Sequence, residues 1–313
     1  MTHTTAVNNG NAAQQRPPLP LSSPPLLQGE FYCVAALFFA SGLTGLVYET
    51  LWFTYCSRVF GNSTYAMGTV VAVFMAGLAL GSRLFGPYAD RAANGVRVYM
   101  FLEMGVLCGA AMVPLLLAAA KPLTTLTTIQ SASPVVPVLM RVVVLTCVLL
   151  PPTICMGGTL PALTRHVSVL NANLGVGFSV LYGINTLGAL TGCLVAGFLL
   201  LPFLGERMCM GAAATANAAI VLCSWACVRI FPVHQEPVQR AIESNDALAA
   251  AHRGGTKSWQ LYACLVLIGG ASMACEVAWT RVMALVLGGS VYAFAALLAV
   301  FLGALGLGAL LAA

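Results

Sequence analysis

Three glutamates stand inside otherwise apolar sequence: Glu49, Glu103 and Glu276. An ionised side chain at the centre of a bilayer costs about 2.5 to 3.5 kcal/mol on insertion scales. An acid in such a place therefore marks, by default, a pathway or a binding site. Tyr48 and Trp52 lie beside Glu49, and Trp279 and Tyr292 lie near Glu276. Carboxylates supply charge and aromatic faces add cation–π attraction, a combination suited to a cationic amine. A structural reading competes with this one. It pairs Glu49 and Glu276 with Arg58 and Arg281, holds Glu103 by Arg97 and Tyr99 at a membrane interface, and assigns the Trp and Tyr residues to an aromatic belt.

Soluble catalytic chemistry has no foothold in the chain. There is no Gly-rich strand-to-helix turn, no HExxH and no GxSxG, and Gly254-Gly255 follows no strand. The cysteines fall mostly within apolar runs, as small packing residues do. Cys223 and Cys227 are one helical turn apart, but no second Cys pair or His accompanies them, so no metal site and no cofactor is expected. The histidines His3, His166, His234 and His252 fall in expected tails or loops, where solvation is the default.

The elements that must position the acids follow from composition. Hydrophobic residues make up 59% of the chain and charged residues 7%, against about 25% charged in soluble domains. Fourteen Lys and Arg spread over 313 residues form no nucleic-acid footprint, which needs clustering on one face. The partner implied is the lipid bilayer. Apolar runs long enough to cross it occur near residues 31–56, 66–86, 98–120, 136–160, 174–203, 208–231, 259–285 and 291–313. They are continuous rather than alternating, which predicts helices and not a barrel.

With a cytoplasmic N-terminus, nine Lys and Arg fall on the inner side and five on the outer, the bias of a multi-pass protein oriented N-terminus inside. Residues 1–30, rich in Asn, Gln and Pro, read as a disordered cytoplasmic tail, and residues 232–258 as a cytoplasmic loop.

Laid on itself at an offset of 227, the chain shows fourteen identities between Gly42–Gly81 and Gly269–Gly308, among them Glu49 with Glu276, Trp52 with Trp279 and Tyr65 with Tyr292. Six helices separate the two copies, so both run the same way through the membrane. The fold class expected is an all-α integral membrane protein: a major-facilitator-like parallel repeat of six-helix halves. Residues 31–231 form the first half, and residues 259–313 form the first two helices of a second half truncated there.

Local signals refine this plan. Gly77-x-x-x-Gly81 and Gly188-x-x-x-Gly192 predict close helix packing. Pro151-Pro152 and Met156-Gly157-Gly158-Thr159-Leu160-Pro161 predict a broken or kinked fourth helix. Gly86-Pro87-Tyr88-Ala89-Asp90-Arg91 predicts a tight loop in which Asp90 caps the next helix. The spacing of Asp90 and Arg91 resembles the loop signature of major facilitator transporters, but Ala92-Ala93-Asn94-Gly95 stands where the basic run would be.

Read in order, three phrases resemble a single family: Ser41-Gly42-Leu43-Thr44-Gly45-Leu46-Val47-Tyr48-Glu49, Met156-Gly157-Gly158-Thr159-Leu160-Pro161, and Leu181-Tyr182-Gly183-Ile184-Asn185-Thr186-Leu187-Gly188-Ala189. It is the membrane portion of the bacterial fused major-facilitator and spermidine-synthase proteins. The third phrase is the most specific, and its Asn185 joins the acids as a pathway candidate. The family pattern places Arg two residues after the repeat Trp, which holds for Trp279 and Arg281 but not for Trp52. The resemblance implies an inner-membrane domain that tethers a cytoplasmic aminopropyltransferase-like domain not in this chain and that could move polyamine-type substrate or product. The alternative expectation is a stand-alone major-facilitator-type transporter of a small cationic solute. The topology is tested by reporter fusions within residues 232–258: a fluorescent protein should fluoresce there and alkaline phosphatase should stay inactive.

Overall fold

The computed structural model describes residues 25–60, 63–130, 133, 135–170, 174–231, 258–287 and 291–311, and all of their regular structure is helical. In chain order the helices are α1 (Pro25–Phe60), α2 (Ser63–Arg91), α3 (Gly95–Gln130), α4 (Val135–Leu170), α5 (Leu174–Leu194), a π-helical segment (Val195–Leu200), α6 (Leu201–Ile230), α7 (Ser258–Leu287) and α8 (Val291–Leu311). Most of the expected tail, residues 1–24, and nearly all of the expected loop, 232–257, lie outside the described residues. So do Gly61, Gly288 and Ser290 of the repeat.

Seven helical stretches are long and apolar enough to span a membrane, one of them Gly177–Ile230 with 54 residues. A straight helix of that length would reach about 81 Å at 1.5 Å per residue, far beyond a hydrocarbon core of about 30 Å. The chain escapes this at Gly205, whose φ of 70° and ψ of 172° are not helical. Glycine has no Cβ to oppose a positive φ, so the reversal is placed where it costs least. The contacts confirm the turn. Gly188 and Gly192 of α5 meet Phe39 and Leu43 of α1 in parallel order. On α6, Glu206 meets Arg58 and Asn217 lies level with Ser41, in antiparallel order.

The same reasoning orients the rest. Tyr99 and Glu103 of α3 bond Leu37 and Ser41 of α1 in parallel order. Gly95 and Gly109 of α3 meet Ala162 and Pro152 of α4 in antiparallel order. Gly77 and Gly81 of α2 meet Thr153 and Ile154 of α4 in parallel order. Gly183 of α5 and Gly197 of the π-helical segment that continues it meet Leu310 and Ala295 of α8 in antiparallel order. Thus α1, α3 and α5 run one way and α2, α4, α6 and α8 the other. Helix α8 shares the direction of α2, its counterpart at the offset of 227.

Glycine sets how closely these helices approach. A Cβ on Gly192 would fall 2.1 Å from the carbonyl oxygen of Leu43, and one on Gly77 would fall 1.9 Å from the hydroxyl of Thr153. Both expected glycine pairs are therefore contact surfaces.

Two local expectations are corrected. Of the expected break or kink in the fourth helix, the break is absent: α4 is one continuous element with Pro151, Pro152 and Pro161 inside it. Beside the proline pair, the Thr153 hydroxyl donates to the carbonyls of Leu149 (3.0 Å) and Leu150 (2.9 Å). Gly157 packs on Leu78 of α2, with its Cβ position 2.3 Å from that carbonyl oxygen, so this phrase serves packing. Likewise, Gly86 to Arg91 continue α2 rather than form a loop. The residue that caps α3 is Asn94, whose Oδ1 accepts from the Arg97 N–H at 3.1 Å, and Asp90 is exposed on the last turn of α2.

Packing of this kind separates two chemically identical changes. Gly192→Ala should cost about 1–3 kcal/mol through overpacking. Gly211→Ala, with nothing within 4 Å of its Cβ position, should be neutral or slightly stabilising. Thermal unfolding in detergent micelles reads both.

Candidate functional site

The buried acids fall into two groups on different faces of α1. Along this helix Ser41, Tyr48 and Trp52 recur at intervals of seven and four residues, which puts them on one face. That face packs on α3, α4 and α6 through Val106, Leu145, Leu149 and Met210. Leu46, Glu49 and Phe53 recur at intervals of three and four on another. Leu46 and Phe53 pack there against Ala189 and Cys193 of α5 and Phe294 and Leu298 of α8.

On the first face sits Glu103, 1% exposed. The Ser41 hydroxyl donates to its Oε1, and Asn217 Nδ2 donates to its Oε2 at 2.7 Å. Three helices thus meet on one carboxylate. Neighbouring Tyr99 donates to the Leu37 carbonyl at 3.1 Å, whereas Arg97 is exposed. The expected partnership with Arg97 gives way to neutral donors because Glu103 lies a turn and a half deeper in α3. Beside this carboxylate are Tyr48 and, stacked on it at 5.9 Å, Trp52. The Tyr48 hydroxyl, the Trp52 indole N–H and Asn217 Oδ1 are buried with no hydrogen-bond partner among the described residues. Donors and acceptors left open near a buried carboxylate form a polar cell whose hydrogen bonding is incomplete.

On the second face, Glu49 is 2% exposed and interacts electrostatically with Glu276 of α7. Cys193 of α5 lies within reach of both charges, its thiol donating to the Ala295 carbonyl at 3.4 Å. Of the described residues of α7, only Glu276 and Thr280 are buried. Helix α7 therefore meets the bundle along one narrow edge, where Met273 and Val277 also pack against the cluster around Leu46, Phe53 and Phe294.

No ion pair joins Glu49 or Glu276 to an arginine or lysine among the described residues. Arg58 instead pairs with Glu206 where α6 begins, and Arg281 is exposed. A helix turn 148 positions downstream supplied the partner that sequence proximity had assigned to Glu49. The aromatic residues do not form one cage. Tyr48 and Trp52 are fully buried, which removes them from any interfacial belt, while Trp279 (57%) and Tyr292 (44%) face outward. Tyr292 lines a cavity of about 600 Å³ with Arg58, Gly205 and Glu206.

Asn185 has a structural contact. Its Nδ2 donates to the Phe38 carbonyl at 2.9 Å, and Gly42 packs against its backbone, so it fastens α5 to α1. Asp90 and Arg91 are both exposed at the end of α2.

Sequence reasoning passed over Ser41, Asn217, Cys193 and the Glu30–His166 pair. The signal for Asn217 was present, as an amide within an apolar helix. Glu30, expected in the tail, and His166, expected in a solvated loop, are joined at 2.8 Å from Nε2 to Oε1 between α1 and α4. Their separation of 136 residues left no local cue.

No family model matches this chain, and no curated protein or solved structure matches it.

The Glu103 cell yields a direct test. Glu103→Leu leaves Ser41 and Asn217 without their acceptor and should cost about 1–3 kcal/mol. Glu103→Gln keeps an acceptor for Asn217 and should unfold close to wild type in the same thermal assay.

Proposed function

We propose that this chain is the membrane portion of a protein similar to the fused major-facilitator and spermidine-synthase family, and that its helices both anchor an aminopropyltransferase-like domain and pass a small cationic amine. The observation that carries the transport role is the convergence of Glu49 and Glu276 on one cluster, in which Leu46 and Phe53 of α1 pack with Met273 and Val277 of α7. These repeat-equivalent acids lie close enough to interact, and neither forms an ion pair with an arginine or lysine among the described residues. Two carboxylates in a medium of low dielectric repel each other when ionised. A cation shared by both relieves that repulsion, and an amine also supplies N–H donors to their oxygens. Helices α1 and α7 carry the two acids, so separation of these helices would release the cation.

Glu49 is 2% and Glu276 9% exposed, so both acids are enclosed by packed side chains.

Uptake of labelled spermidine into proteoliposomes containing the purified chain tests the reading. Glu49→Gln and Glu276→Gln should each lower the flux by about tenfold or more, a loss worth about 1.4 kcal/mol. Absence of flux in the unaltered protein would leave anchoring alone. Glutamate-dependent flux from a gene with no synthase-like reading frame downstream would select a stand-alone major-facilitator-type transporter.

A further inference from the structure

We propose that the groove between the α2–α3 turn and the end of α6 binds an anionic phospholipid, with its phosphate between Arg97 and Arg229 and its acyl chains along the outward-facing aromatic and aliphatic side chains. The groove has a volume of about 880 Å³ and lies at the end of the bundle where α1 begins, opposite Gly205. Arg97 and Arg229 are its charged lining residues, and no carboxylate lines it among the described residues. Two guanidinium groups facing one space repel each other unless an anion sits between them. Each has the planar fork that takes phosphate oxygens in pairs.

Two further features favour phosphate. Helix α3, 36 residues long, begins at Gly95 beside the groove, which its cap Asn94 and first-turn residue Arg97 line, so the positive end of its dipole lies there. The Arg229 guanidinium lies 5.1 Å from the centre of the Trp225 ring, which holds the charge at a fixed position.

The choice of a lipid over a free anion rests on the walls. Tyr88 (63% exposed), Phe101 (54%) and Ile230 (69%) line the groove and also face outward from the bundle. A phosphate bound there would have its esterified chains in contact with an apolar surface continuous with the bilayer. Basic pockets between membrane helices recognise lipid head groups by this combination. The site is independent of the Glu49–Glu276 reading, since none of its residues touches those acids.

Native mass spectrometry of the full chain released from nanodiscs of mixed phosphatidylglycerol and phosphatidylcholine tests the proposal. Bound phosphatidylglycerol should survive in preference to phosphatidylcholine. The double variant Arg97→Gln, Arg229→Gln should lower its retention about thirtyfold, while Arg281→Gln, an exposed arginine elsewhere, should leave it unchanged. A melting temperature of the double variant close to wild type shows that the loss is local. Equal retention of the two lipids, or undiminished phosphatidylglycerol on the double variant, would overturn the proposal. Displacement of the lipid by millimolar inorganic phosphate would also overturn it, by showing a site for soluble anions.

Discussion

Hydrocarbon offers no hydrogen-bond partner, and nearly every feature of this protein answers that constraint. The backbone answers it by forming helices. Hydroxyls answer it by bonding back to the preceding turn: Thr50 to Leu46, Thr146 to Val142, Thr186 to Tyr182, Thr191 to Leu187 and Ser224 to Ile220. Glu103 answers it across helices, by drawing Ser41 and Asn217 onto its two oxygens. Where the answer is incomplete, at Tyr48, Trp52 and Asn217, and where Glu49 and Glu276 have no ion pair with a base among the described residues, the structure departs from what packing alone would produce.

Helix α1 lies between these two departures. One face carries Ser41, Tyr48 and Trp52 toward Glu103, and another carries Glu49 toward Glu276. Residues 41 and 49 are about 12 Å apart along the axis. Because both polar groups grip the same rigid rod, a displacement of α1 acts on both carboxylates. Close helix contact reinforces the linkage. With no Cβ at Gly188 and Gly192, the backbones of α1 and α5 touch, so α1 moves only if α5 moves with it or the contact breaks.

The membrane class, the positions of eight helical segments and the internal repeat were legible in the amino-acid order, because each depends on local composition or on comparison of the chain with itself. The glycine contacts were legible for a similar reason: spacing of four places two small residues on one face whatever the partner. Local signals misled where a neighbouring helix supplied what the local chain lacked. Pro151 and Pro152 implied a break that the continuous α4 does not have, and Asp90 implied a cap that Asn94 provides.

Trp52 and Trp279 mark the boundary between the two kinds of information. They occupy the same place in the repeat, three residues after equivalent glutamates, and both acids were recognisable as out of place in an apolar run because the cost of burying charge belongs to the residue itself. Yet Trp52 is fully buried and Trp279 is 57% exposed. Arg58, likewise, found Glu206 rather than Glu49. Which face of a helix is covered, and which distant side chain answers a charge, depends on how the rods dock. That is decided by contacts between segments far apart in the chain, for which no single stretch of sequence carries the signal.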